Sequence, residues 1–202
     1  MEHFYEHIQG WFDYQKHYTN MVNQAAEGSH FVEIGSWKGK SSSYMAVEIV
    51  NSGKNIRFDC VDTWGGSLEH QPGGSHVDQF VVDGTLFNHF VENMKPVEGR
   101  YTAVKNTSVE AAKIYTDASL DFVFIDAAHD YDSVKADIQA WLPKVKLGGW
   151  IGGHDYTWNE GIRRACNELL PAHTHDGSWD DNEQRYIPEN ESQGVSWMYQ
   201  VK

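Results

Sequence analysis

The stretch Glu33-Ile34-Gly35-Ser36-Trp37-Lys38-Gly39-Lys40-Ser41-Ser42 decides how the rest of the chain is read. The apolar run before it, residues 30–34, has the length of a strand, and residues 40–50 after it read as a helix. Gly35 and Gly39 let the backbone turn tightly against a ligand, and the N-terminus of the following helix presents free N–H groups. The spacing is Gly-x-x-x-Gly. It is not the Gly-x-Gly-x-x-Gly of a nicotinamide-binding turn, and Lys40-Ser41 lacks the glycine spacing of a P-loop. A nucleotide-like ligand fits this turn; an ordinary strand-to-helix connection is the competing reading.

Outward from this turn, short apolar runs ending in Gly, Asp or Asn alternate with longer amphipathic stretches. Strands are expected at residues 30–34, 56–61, 101–104, 120–125 and 150–152, and helices at 40–50, 79–94, 109–115, 133–142 and 159–170. Two further strands fit residues 172–175 and 195–201. Parallel neighbours need crossover connections, so the pattern predicts an α/β fold: a Rossmann-like, doubly wound, mainly parallel seven-stranded sheet with helices on both faces. Residues 2–26, rich in aromatics, read as a leading helix or two with a structural role. Residues 177–194 read as an exposed loop. Residues 63–78 read as a glycine-rich loop whose Trp64 could act as a lid, and Trp179, Arg185 and Tyr186 as a second wall for an acceptor.

The chain of 202 residues, 40% of them hydrophobic, suits a single domain over 1–202. No stretch approaches the roughly 20 apolar residues of a membrane span, and Met1-Glu2-His3-Phe4 lacks the layout of a signal peptide, so the expectation is a cytoplasmic protein without a membrane partner. Cys60 and Cys166 show no metal or disulfide spacing and read as buried thiols. A net charge of -13 without a basic stripe disfavours nucleic acid. The aromatic N-terminal segment could pack on a second copy as readily as on its own domain, so a homodimer is one arrangement.

In open sheets of this kind ligands sit beyond the carboxyl ends of the strands. Asp62, closing the second strand, is placed to accept hydrogen bonds from both hydroxyls of a ribose, with Thr63 beside it; a turn aspartate is the alternative. Asn106-Thr107-Ser108 follows the third strand on the same rim, where Ser108 either N-caps its helix or contacts an adenine. Asp126 and Asp155 close the fourth and fifth strands, near His129 and His154. His70, His76, His173 and His175 read as solvated loop histidines.

Glu33-Ile34-Gly35-x-x-x-Gly39-x-Ser41, Asp62 and Phe124-Ile125-Asp126-Ala127-Ala128-His129-Asp130-Tyr131 resemble class I S-adenosylmethionine-dependent methyltransferases. The continuation Leu147-Gly148-Gly149-Trp150-Ile151-Gly152-Gly153-His154-Asp155-Tyr156 is similar to the branch holding macrocin O-methyltransferase and the cephalosporin-hydroxylase-like proteins. The resemblance covers roughly residues 30–170. It implies that Glu33, Gly35, Ser36 and Gly39 wrap the methionine part of S-adenosylmethionine, that Asp62 holds the ribose, and that Ser108 approaches the adenine. Metal-dependent relatives use carboxylates after strands four and five, which match Asp126 and Asp155. Several of them carry two adjacent acidic or amide ligands after strand five, where this chain has His154, Asp155 and Tyr156.

Asp126, Asp155 and a histidine, His154 or His129, could also converge on one divalent cation, Mg²⁺ or Mn²⁺, by virtue of their places on neighbouring strands. The sulfonium is already a good leaving group, so the site has only to hold the acceptor in line and take the proton of its hydroxyl. A metal would acidify that hydroxyl; without one, His129 or His154 is the candidate base. The expected activity is O-methylation of a small hydroxylated acceptor, a sugar or natural-product intermediate. The alternatives are a metal-dependent hydroxylase or hydrolase on the same fold and a non-catalytic S-adenosylmethionine-binding protein.

Overall fold

A computed structural model describes residues 1–67, 70–157, 160–180, 185–188 and 195–202, the side chains of 178–180 and 185–188 excepted. Five parallel strands form the centre of its sheet: β1 (His30–Ile34), β2 (Arg57–Asp62), β3 (Thr102–Lys105), β4 (Leu120–Ile125) and β5 (Val145–Gly153). Two short strands, β6 (Thr174–His175) and β9 (Trp197–Gln200), complete it, β9 antiparallel to both β5 and β6. The order is β3-β2-β1-β4-β5-β9-β6, so the chain reverses direction across the sheet between β1 and β4.

Period-two alternation within the strands sorts the core into two layers. Phe31, Phe58, Phe122 and Phe124 turn to one face, where α1 (Gln15–Gln24), α2 (Lys40–Ser52) and α4 (Leu86–Met94) cover them. Val32, Ile34, Val61, Val123, Ile125 and Ile151 turn to the other, under α5 (Ser108–Ala112), α6 (Tyr131–Trp141) and α7 (Glu160–Leu169). One layer is aromatic and the other mostly aliphatic. The paired glycines at the end of β5 follow from β9: a Cβ on Gly153 would stand 2.6 Å from the Trp197 ring.

Several expectations give way to local chemistry. The helix expected over residues 79–94 is broken into α3 (Gln79–Val82) and α4, because Gly84 adopts φ +67° between them; Asp78 caps α3 through the Phe80 N–H. Part of the loop expected over residues 177–194 is an antiparallel hairpin, β7 (Gly177–Asp180) with β8 (Arg185–Pro188). Its residues 181–184 and 189–194, and the side chains of Trp179, Arg185 and Tyr186, lie outside the described residues. Trp64 is no lid. It is 3% exposed, packs on Phe87 and Phe90, and donates its indole N–H to the Trp37 carbonyl at 2.9 Å. His173 and His175 are half-buried and pack about Tyr156, whose hydroxyl lies 3.0 Å from His173 Nε2.

Between α5 and α6, Asp137 is 5% exposed. Burial pushes its pKa up to about 6 against a hydrogen bond from Ser108. A carboxylate raised on folding favours the folded state while protonated, below its unfolded value near 4, and that advantage is lost as pH climbs through 6. We expect Asp137→Asn to remove a fall in stability of up to about 3 kcal/mol between pH 4 and 6, measured by urea unfolding. A variant with the wild-type slope would show that Asp137 is ionised throughout that range.

Candidate active site

The hydrogen-bonded register sets Val61, Ile34, Ile125 and Gly153 side by side across β2, β1, β4 and β5. The next residue of each strand therefore falls on one edge, which brings Asp62, Gly35, Asp126 and His154 together at the carboxyl ends. This edge includes the β1–β4 switch point, where open α/β sheets place ligands.

The glycine turn is shaped by that neighbourhood. Gly35 has φ +95°, and a Cβ there would lie 1.8 Å from the backbone oxygen of Asp126, so no other residue fits without displacing the end of β4. Gly39, also left-handed, is the N-cap of α2. Glu33 points from β1 into the aromatic layer, 1% exposed. Its carboxylate accepts the hydroxyls of Tyr18 at 2.7 Å, Ser36 at 2.8 Å and Ser42. Burial raises its pKa and these hydroxyls pull it back. Glu33 and Ser36 thus brace the turn from beneath, each through the other.

Asp62 accepts the backbone N–H groups of Trp37 and Trp64 at 2.8 and 2.7 Å, one on each oxygen, which ties the glycine turn to the end of β2. Burial lifts its pKa, and the N–H groups oppose the rise. Each oxygen keeps a further lone pair for a ribose hydroxyl. Thr63 follows it, its hydroxyl accepting the Gly65 N–H. On the rim beyond β3, Asn106 donates its N–H to the Asp62 carbonyl. Ser108 is the first residue of α5 and not its N-cap, which is Thr107 without a side-chain cap. The Ser108 hydroxyl accepts the Trp141 indole N–H at 2.9 Å, so it is turned toward α6.

At the ends of β4 and β5 the acids and histidines meet. One donor atom each from Asp126, His154 and Asp155 lie within 4.8 Å of one another. His129 Nε2 is 3.0 Å from Asp155 Oδ2, and His154 reaches Asp155 through Nδ1 at 3.2 Å. His154 Nε2 lies 2.7 Å from Asp13. Burial lowers the pKa of His154, but the pairs with Asp13 and Asp155 outweigh it and hold it well above the usual histidine value. Burial would raise Asp155, yet His129 and His154 hold it well below the usual carboxylate range. Asp126 is raised, chiefly by burial, with His154 opposing. Its Oδ2 accepts the Tyr14 hydroxyl at 2.9 Å. Asp155 sits at φ +57°, a left-handed conformation that aspartate tolerates better than most residues.

A family model described as a methyltransferase domain matches residues 32–156, more than half of the chain. The chain belongs to the methyltransferase-domain family. That family is one of class I, S-adenosylmethionine-dependent methyltransferases, and solved structures described as putative O-methyltransferases share the fold of this chain. A putative O-methyltransferase from Klebsiella pneumoniae superposes with TM-score 0.61 at 13% identity, covering 97% of this chain and 84% of that one. A putative caffeoyl-CoA O-methyltransferase from Staphylococcus aureus gives 0.58 at 13%, covering 96% and 87%. Fibrillarin from Aeropyrum pernix, solved with natively bound S-adenosyl-L-methionine, gives 0.54 at 11%, covering 85% and 66%. Among curated proteins, an uncharacterized protein, y4gI, of Sinorhizobium fredii is 25% identical over 155 residues, 76% of this chain and 16% of that protein. The chain thus spans a small part of that relative.

Three residues of this methyltransferase's edge were not legible as site residues in the sequence: Asp13, Tyr14 and Tyr18. The N-terminal segment is more than packing. It reaches His154, Asp126 and Glu33 in turn, at the ends of β5, β4 and β1. The one signal was its aromatic density, which periodicity assigns to a core face.

For the methyltransferase turn, Gly35→Ala should cost roughly 3 kcal/mol or more, since it combines left-handed strain with a backbone collision. Gly53→Ala, left-handed at the end of α2 but with nothing within 4 Å, should cost only about 1–2 kcal/mol. Equal losses in urea unfolding would show that the turn opens freely and that the close approach of β4 does not govern it.

Proposed function

We propose that this enzyme transfers the methyl group of S-adenosylmethionine to a hydroxyl of a small acceptor, a sugar or natural-product intermediate, in the cytoplasm. The observation that carries the reading is the single edge on which the glycine turn, Asp62 and the Asp126–His129–His154–Asp155 group converge. The cofactor's methionine part lies at Gly35, Ser36 and Gly39 in this reading, braced by Glu33, and its ribose on Asp62 and Thr63. The adenine then faces the rim at Asn106–Ser108, met by the backbone there because the Ser108 hydroxyl is engaged by Trp141. The net charge of -13 supports a small molecule over a nucleic acid, whose phosphates need basic contacts. Among the described residues no helix is long and apolar enough to cross a membrane, and both cysteines are free and buried, in keeping with a reducing compartment.

His129 suits the role of general base better than His154, because the pairs with Asp13 and Asp155 keep the His154 ring protonated near neutrality. His129, oriented by Asp155, takes the acceptor's proton as the oxygen attacks the methyl carbon. A divalent cation, Mg²⁺ or Mn²⁺, fits the spacing of Asp126, His154 and Asp155, and would have to displace the His154 proton to enter. When bound it would lower the pKa of the acceptor hydroxyl.

The first test is calorimetry with S-adenosylhomocysteine, NAD as control, and EDTA or Mn²⁺ in parallel. Saturable binding of S-adenosylhomocysteine alone supports the reading, and its absence in all conditions overturns it. Asp62→Asn should weaken that binding about tenfold or more through the lost ribose bond, with its fold checked by melting; unchanged affinity would move the ribose elsewhere. With any acceptor methylated from radiolabelled cofactor, His129→Gln should lower kcat about a hundredfold while leaving S-adenosylhomocysteine affinity unchanged. A loss confined to His154 variants would reverse the assignment.

A further inference from the structure

The stretch that leaves β2 folds back onto the glycine turn. Lys38, within the turn, shares its buried ammonium between Asp78 and Gln9 of the N-terminal segment, which straps the same edge through Asp13 and Tyr14. Asp78 donates its own N–H to the His70 carbonyl at 3.1 Å, and Gln71 donates to the Gly65 carbonyl at 2.9 Å, so the neck of the loop is fixed. His70, expected in solvent, is half-buried, and its ring lies on that of Trp37 with the centroids 4.4 Å apart. Trp37 and Trp64 supply two N–H groups that grip Asp62. His70 therefore comes from the segment that follows one of these donors and rests on the side chain of the other, beside the carboxylate between them. Burial raises the Asp62 carboxyl, the N–H groups oppose the rise, and His70 is the next influence pulling it down, so the ring is within electrostatic reach of it.

The ring is also held in one protonation pattern. The Ser67 backbone N–H, which can only donate, is 3.2 Å from His70 Nδ1, and the Ser67 hydroxyl lies 2.7 Å from the same nitrogen. Nδ1 is thus an acceptor, and Nε2 carries the proton. We propose that His70 is a specificity-determining residue for the cofactor, donating from Nε2 to a ribose hydroxyl that Asp62 holds. The proposal rests on the reading of Asp62 as the ribose acid and deepens it. A carboxylate accepts only, so a hydroxyl that gives its proton to Asp62 keeps two lone pairs on its own oxygen. Once the sugar is shielded from water those lone pairs need a donor, and the Trp37 and Trp64 N–H groups are already spent on Asp62. An acceptor and a donor set on one hydroxyl read that hydroxyl as such, because a ligand without it strands both partners.

The test is calorimetry of the whole chain, wild type and His70→Ala, with S-adenosylhomocysteine and with its 2′-deoxy and 3′-deoxy counterparts. The wild type should bind S-adenosylhomocysteine about tenfold or more tightly than the counterpart that lacks the shared hydroxyl. His70→Ala should weaken S-adenosylhomocysteine roughly three- to tenfold while leaving the affinity for that counterpart unchanged, so the preference shrinks by the same factor. Equal weakening of all three ligands would mean that the ring only packs the loop, and no change in any of them would take His70 out of the site; either result overturns the proposal. If Asp62→Asn weakens S-adenosylhomocysteine and His70→Ala does not, the ribose reading stands and the proposal alone falls. If S-adenosylhomocysteine does not bind the wild type, both fall together.

Discussion

Glu33 carries a carboxylate inside the aromatic layer of the core, and it survives there because Tyr18, Ser36 and Ser42 turn three hydroxyls onto it. The donors come from different pieces: Tyr18 from α1, Ser36 from the glycine turn, Ser42 from the first turn of α2. Removing one of these hydroxyls costs about 1–3 kcal/mol, because the buried carboxyl is left without a hydrogen bond that replaced water. The N-terminal helix, the turn and α2 are therefore fixed to β1 together, and the turn cannot shift without exposing or stranding Glu33. Asp62 makes the second attachment through the Trp37 and Trp64 N–H groups, so the turn is held from β1 and from β2.

The same logic extends along the edge to β4 and β5. Asp13, Asp126 and Asp155 gather three carboxylates with His129 and His154 between them. Without the two rings Asp126 and Asp155 would repel one another within 4.8 Å, and burial would push both carboxyls up toward the neutral form. The imidazoles win against burial at Asp155, while at Asp126 burial and the Asp155 charge outweigh the pull of His154 and the Tyr14 hydroxyl and leave it raised. Two carboxylates just past neighbouring strands thus differ in charge behaviour because of what each faces.

Most of this architecture was legible in the sequence because it rests on periodicity. Apart from Glu33 in the first and Asp121 near the start of the second, the runs at His30–Ile34 and Leu120–Ile125 are apolar on both faces, as strands covered by helices on each side tend to be, and their bounds come out as read. The rim residues Asp62, Asp126 and Asp155 were legible for the same reason, since the end of a strand fixes the place of the residues just beyond it. The break at Gly84 was not, because a single glycine inside an amphipathic stretch does not say whether the helix tolerates it or stops. The strap at Asp13, Tyr14 and Tyr18 was illegible for a deeper reason. Its contacts are more than a hundred residues away for Tyr14 and Asp126, and nothing local to an aromatic segment tells which strand ends it will reach.

The sulfonium cofactor gives this acidic edge a direction. In the proposed reading S-adenosylmethionine brings a positive charge that the product has lost, so carboxylates just beyond β4 and β5 would favour the substrate form over the product. Unbalanced, they would also hold the cation in its ground state, since in the transition state its charge is already dispersing. His154 tempers that attraction while leaving the net charge of -13 to draw the cofactor in. An edge with acids alone would bind well and react slowly; an edge with histidines placed against those acids trades some of that grip for turnover. The placement of Asp13 on the far side of His154 fits this account, for it keeps that ring charged where a neutral imidazole would leave Asp126 and Asp155 facing the sulfonium unopposed.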